Sequence, residues 1–220
     1  MDTIDDHLDL LAHRVRALRD AAGHRVVVGI AGSPGAGKTT LARSLVDRLG
    51  QDAAHLPMDG FHLANRTLDL LGRRARKGAV DTFDGWGFVA LLARIRSETS
   101  NPVYAPSFER SVDEPIAGEI EIAPNVELVI TEGNYLLVPE MPWSGARTLL
   151  DAAWFCATDD AERQRRLVHR HTQFGRAQEE AISWARDVDG ANAVLIESTR
   201  ELADLVVSGV TGEILSERSP

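Results

Sequence analysis

The chain has 220 residues, and its 33 acidic side chains outnumber 24 basic ones to give a formal net charge of −9. At 44% hydrophobic and 26% charged residues it is too apolar for disorder, and its length suits one large domain with room for a small lid. The acidic balance argues against general affinity for nucleic acid or an anionic membrane, yet permits a local basic pocket for a phosphorylated ligand. A lone cysteine, Cys156, leaves no internal disulfide. The stretch Met1-Asp2-Thr3-Ile4-Asp5-Asp6 is acidic where a signal peptide is basic. No apolar run reaches the ~18 residues of a membrane span, so a cytoplasmic location is expected.

Thr3 with Asp6 reads as a capping pair opening a helix, followed by Ile4, Leu8, Leu11, Val15 and Leu18 at helical spacing up to Gly23. Arg25 to Ala31 is a Val-rich apolar run, as in a strand buried on both faces. A Gly-rich loop follows, then a helix from Thr39 to Leu49. His55 to Met58 is a second strand ending at Asp59. Residues 63–76 are irregular to helical and basic. Asp84 caps a helix through Phe88, Leu91, Leu92 and Ile95. Val103 to Ala105 reads as a strand, and residues 109–124 as a hairpin excursion. Val126 to Thr131 and Ala152 to Cys156 are further strands. A basic helix runs from Thr158 to about Phe174, with helices over 178–186 and 192–203 and a last strand at Leu205 to Val207. Strands alternating with helices predict an α/β fold with a mostly parallel central sheet flanked by helices. One domain over 1–220 is expected, its hairpin excursion at about 109–124 and its helical lid at about 160–178.

Gly32-Ser33-Pro34-Gly35-Ala36-Gly37-Lys38-Thr39 satisfies G-x-x-x-x-G-K-[ST], with a strand before it and a helix after it. Such glycines let successive N–H groups face phosphate oxygens, and the helix N-terminus faces the same anion. Lys38 reaches the terminal phosphates and Thr39 ligates Mg²⁺ in this motif; Thr40 completes the binding stretch. Only Lys38 and Lys77 among the basic residues are lysines, which marks positions where an arginine fork does not substitute. No Asn-Lys-x-Asp guanine reader and no LSGGQ signature is present. Asp59 follows the second strand, where open parallel sheets collect ligands. A carboxylate there takes a hydroxyl proton or holds Mg²⁺ through water, or else caps an Asp-Gly turn. Glu132 ends a strand at the position expected of a second metal-organising acid.

These residues reach a recognisable group. GSPGAGKTT (32–40), PMDGFH (57–62), RKGAVDTFD (76–84), VYAPSFER (103–110) and ITEGNYLL (130–137) occur in the order found in P-loop kinases. The chain resembles the bacterial pantothenate kinase, uridine kinase and phosphoribulokinase group. It is most similar to a branch labelled nucleoside/nucleotide kinase-like or fructose transport system kinase, over most of residues 25–210. The resemblance implies a P-loop NTPase fold, ATP and Mg²⁺, and Asp59 as catalytic base. It implies Glu132 near the metal, and Arg166 and Arg170 on a lid helix closing over the phosphates. It places Asp81 and Asp84 near the acceptor, beside Lys77, with Tyr104, Phe108 and Arg110 covering it. Asp59-Gly60-Phe61-His62 departs from the Asp-Ser-Phe-Tyr of uridine kinases and is nearer the pantothenate kinase form.

Alternatives stand beside several of these readings. His62 contacts the acceptor or is an exposed loop histidine. Lys77 binds a phosphorylated acceptor or ends a solvated helix. His169 and His171, two apart, diverge on a helix and make no zinc site. Cys156 is a core residue. The expected activity is ATP-dependent phosphoryl transfer to a hydroxyl of a small polar metabolite such as a sugar, nucleoside or pantothenate-like compound. The alternative is a P-loop ATPase that regulates a protein partner. The expected partner is a small-molecule substrate, with no nucleic acid and no membrane; a homodimer is left open.

Overall fold

The capping pair at the start of the chain forms as the sequence predicts. Thr3 accepts from the Asp6 N–H, the Asp6 carboxylate accepts from the Thr3 N–H at 2.8 Å, and helix α1 (Ile4–Ala21) follows. The computed structural model describes residues 3–218. Met1 and Asp2, part of the acidic N-terminal stretch, lie outside the described residues.

In chain order α1 is followed by β1 (Val26–Ala31), α2 (Lys38–Leu49), β2 (Ala53–Pro57), α3 (Asn65–Leu70) and α4 (Gly85–Ser97). The hairpin β3 (Val103–Glu109) and β4 (Glu114–Ile122) precedes β5 (Leu128–Glu132), α5 (Trp143–Arg147) and β6 (Ala152–Ala157). Helices α6 (Asp160–Gln173), α7 (Gln178–Trp184) and α8 (Gly190–Glu197) lead to β7 (Leu205–Ser208) and β8 (Ile214–Glu217). The main sheet has the order β2-β5-β1-β6-β7-β8, parallel except for β8, which runs antiparallel to β7.

Every residue of β1 is buried, which is why its sequence is continuously apolar rather than alternating. Successive side chains still point to opposite faces. Val26, Val28 and Ile30 pack with α1 and α2, while Val27 joins Phe88, Trp143 and Phe155 on the other face. Arg25, just before the strand, is 4% exposed and saturated. Its guanidinium donates to the carbonyls of Val126 (2.7 Å), Ile95 (2.8 Å), Glu98 (2.9 Å), Ala123 and Pro124. It thereby ties the end of α4 to the approach to β5. Burial lowers its affinity for the proton, and the carbonyl partners compensate the desolvated charge.

Several expectations shift. Val103 to Ala105 belongs to no main-sheet strand: it is the first arm of the hairpin, which starts at 103 rather than 109. Val103 and Ala105 are buried in the core, whereas Pro106, lacking an N–H, sits where the register of β3 and β4 slips. The helix expected over 192–203 breaks into α8 and a short 3₁₀ turn at Arg200–Leu202. The last strand is the edge strand β8, and α5 had no sequence reading.

Candidate active site

The carboxyl ends of β1, β5 and β2 lie side by side, since Ile30 and Pro57 both register with Glu132. The loop after β1, the acid ending β5 and the turn after β2 therefore converge, as ligand sites do in parallel sheets. They open on a cavity of about 1470 Å³. Pro34, Gly35, Gly37, Lys38, Thr39 and Thr40 line it from the loop, while Gly32, Ser33 and Ala36 do not. Gly37 has φ +104, and a Cβ there would meet the Gly209 carbonyl at 2.6 Å, so the loop needs glycine on both counts.

Lys38 is 8% exposed. Its Nζ donates to the Ser33 carbonyl at 3.1 Å and to Asn134 Oδ1 at 2.8 Å. Burial pushes the ammonium below its usual range, against the pull of Glu132. Glu132 Oε1 accepts the Thr39 hydroxyl at 2.9 Å. His55 Nε2 lies 3.6 Å from the same oxygen, buried and with no hydrogen-bond partner. Asn134 and His55 were missed in the sequence. The available signals were a polar residue two positions past Glu132 and a lone histidine in an apolar strand. The Ser33 hydroxyl turns away and donates to Glu197 on α8 at 2.6 Å.

Asp59 sits in the 3₁₀ turn Met58–Phe61. The following Gly60 is a close approach: a Cβ there would lie 2.2 Å from the Pro106 carbonyl. Its absence brings β3 over Asp59, and Arg110 at the hairpin tip reaches Asp59 Oδ2 at 3.4 Å. Burial raises the Asp59 carboxyl, but His62, Arg110, Lys38 and Arg170 together hold it below the usual carboxylate range. His62 is not an exposed loop residue. Its Nδ1 bonds the Asp59 carbonyl at 2.8 Å, and its ring packs against Phe83 and Phe108. Burial lowers its proton affinity, against the pull of Asp59.

Helix α6 meets the loop through its first turns. Arg163 is buried and donates to the Pro34 carbonyl at 3.2 Å. Arg166 pairs with Glu162 at 2.7 Å and points Nη1 at the carbonyls of Gly209, Ala36 and Gly35 from 3.3 to 3.5 Å. Arg170, one turn on, faces the cavity; burial and the nearby Arg110 depress its proton affinity. His171 pairs with Asp189 at 2.8 Å rather than with His169.

Three expected acceptor residues are not among those that line the cavity. The Asp84 carboxylate accepts the Gly87 N–H at 2.8 Å and caps α4. Asp81 is held by Arg76 and Arg73 outside the cavity. Tyr104 is 52% exposed on the hairpin's outer face. Lys77 does line the cavity, but its ammonium is engaged by Asn65 Oδ1 at 2.7 Å, the Asp113 carbonyl and Asp113 Oδ2 at 3.1 Å. It also lies 4.9 Å over the Phe108 ring. Lys77 thus ties the hairpin tip to the 74–82 segment.

A mostly parallel sheet with a phosphate loop after β1, an acid ending its neighbour β5 and another acid after β2 defines the architecture of P-loop kinases. The match of residues 27–214 to the Phosphoribulokinase / Uridine kinase family model places this chain in that family. A Schizosaccharomyces pombe protein named "Putative uridine kinase C227.14" is 34% identical over 83% of each chain. The Aspergillus versicolor protein named "ATP-dependent kinase-like protein notR'" is 35% identical over 73% of this chain and 99% of its own. Among solved structures, a "putative fructose transport system kinase" from Silicibacter sp. TM1040 superposes with a TM-score of 0.83 at 36% identity. That superposition covers 90% of this chain and 98% of the other.

Proposed function

We propose that the chain is an ATP-dependent kinase that phosphorylates a hydroxyl of a small polar metabolite, a sugar, a nucleoside or a pantothenate-like compound. One observation carries the reading: Lys38 of the phosphate loop and Asp59 open on the same cavity, with the hairpin walling the space beside Asp59. A regulatory ATPase needs no such acceptor space next to its phosphates.

In this reading Lys38 neutralises the terminal phosphate oxygens, held in place by Ser33 and Asn134. Thr39 and Glu132 would hold Mg²⁺: a hydroxyl and a carboxylate are the oxygen donors a hard cation takes, and the orphaned His55 nitrogen suits a hydrogen bond to its hydration water rather than direct ligation. When bound, Mg²⁺ supplies charge neutralisation on the phosphate chain. Asp59 orients the acceptor hydroxyl and accepts its proton as the new O–P bond forms. Arg170 stabilises the charge that spreads over the transferring group. Arg166, bound to the loop carbonyls, positions the loop and α6. Because the transition state is largely dissociative, orientation and electrostatics outweigh strong base action.

The test is ADP release with sugars, fructose included, nucleosides including uridine, nucleotides and pantothenate, with the product's mass determined. A phosphorylated product supports the kinase. If no compound accelerates ADP release over water while a protein partner does, the regulatory ATPase replaces it.

A further inference from the structure

The proposed acceptor space contains cations of two kinds. Those of the 74–77 segment that line it are engaged: Arg74 binds Asp113, and the Lys77 ammonium has three acceptors. Arg110 and Arg170 are different. Arg170 is surrounded at longer range by Arg110, Asp189, Asp59 and Glu132 and makes no side-chain hydrogen bond among the described residues. Arg110 meets Asp59 at 3.4 Å, longer than the 2.7–2.9 Å of a well-made charged hydrogen bond. A guanidinium has five donors, so most of Arg110's capacity is unused.

Arg110 and Arg170 both face the cavity that Asp59 lines, and like charges near one another disfavour each other unless an anion lies between them. Arg170, on the lid helix, serves the transferring phosphoryl group in the reading above. Arg110, on the hairpin tip, has no role toward the nucleotide in that reading. We propose that the acceptor is itself an anion, a hydroxy compound whose carboxylate or phosphate binds Arg110 and draws it away from Asp59. This inference rests on the kinase reading and narrows its acceptor class. It also gives selectivity a mechanism. A neutral polyol or water leaves Arg110 on Asp59, where the cation opposes proton acceptance. An anionic acceptor exchanges one carboxylate for another at Arg110 and frees Asp59 to take the hydroxyl proton.

The test uses the full chain with Mg²⁺ and a non-hydrolysable ATP analogue, titrated calorimetrically with charge-matched probe pairs. Glycerate with glycerol, and pantothenate with its alcohol, report carboxylates; ribose 5-phosphate with ribose reports phosphates. A hydrogen bond to a charged group contributes about 1.5–3 kcal/mol. The anionic member of at least one pair should therefore bind roughly 10- to 100-fold tighter than its neutral partner. Arg110→Met should bring that anion to within about threefold of its partner, and Arg110→Lys, which keeps the charge but not the fork, should restore part of the preference. Equal binding or none within all three pairs overturns the inference, as does an anion preference that survives Arg110→Met. The kinase reading fails separately, by absence of any phosphorylated product.

Discussion

Asp59→Asn preserves the shape of the side chain and removes its charge and its basicity. The wild-type carboxylate is already a weak base: burial raises it, but His62, Arg110, Lys38 and Arg170 outweigh burial. Loss of a general base costs 10²–10⁴-fold in rate, or about 2.7–5.4 kcal/mol of barrier. A weak base acting in a dissociative transition state places the loss in the lower half, roughly 10²–10³-fold in kcat. Nucleotide affinity should move the other way. Lys38 and Arg170 lose an anionic neighbour, so an ATP analogue should bind as well as before or a few-fold tighter. Stability should change by less than about 1 kcal/mol, because the pair with Arg110 is long and both side chains are about a third exposed. The wild-type pH profile follows from the same direction of shift. A depressed carboxyl stays ionised, so kcat/KM should show no loss from Asp59 on acidification from neutrality until the pH falls below the ordinary carboxylate range. Steady-state ADP release and calorimetric nucleotide binding measure both quantities. Full activity in Asp59→Asn, or a loss of nucleotide affinity matching the loss of kcat, refutes the role.

Asp84→Ala removes a helix cap and should cost about 0.5–2 kcal/mol of unfolding free energy, read from the shift of the urea midpoint, with the acceptor KM unchanged; a raised KM without destabilisation would return Asp84 to the acceptor site. Cys156 is fully buried in β6, and burial pushes its thiol up to about 12. Iodoacetamide at pH 8 should therefore leave the folded protein unlabelled and label it in denaturant, and rapid native labelling would contradict the burial. On adding an ATP analogue with Mg²⁺, amide exchange should slow across residues 170–177. Residues 161–168, already fixed to the loop by Arg163 and Arg166, should exchange slowly with or without nucleotide; unchanged exchange throughout would rule out lid closure.

The parts of the site legible in the sequence are those whose signals are local. β1, the phosphate loop and α2 are contiguous, and Asp59 and Glu132 each end a short apolar strand, so the parallel-sheet rule brings them together. The parts not legible depend on pairing between distant segments. β8 has only Ile214 and Leu215 to mark it, and its strand character comes from lying on the edge of β7. Val103 and Ala105 read as a strand, yet their partner is β4 rather than the main sheet, and only tertiary contact decides between the two.

Lys77 shows what a compositional signal can and cannot carry. Two lysines in an arginine-rich chain mark sites that need a compact ammonium, and both sites have that need. Lys38 converges on a carbonyl and an amide oxygen, and Lys77 on an amide oxygen, a carbonyl and a carboxylate. Such close, differently directed acceptors suit three rotatable N–H donors better than a planar fork. The composition thus marks buried ammonium geometry and is silent on whether it faces a ligand. At Lys38 the surroundings are a phosphate loop. At Lys77 they are the hairpin tip that carries Arg110, which Lys77 ties to Asn65.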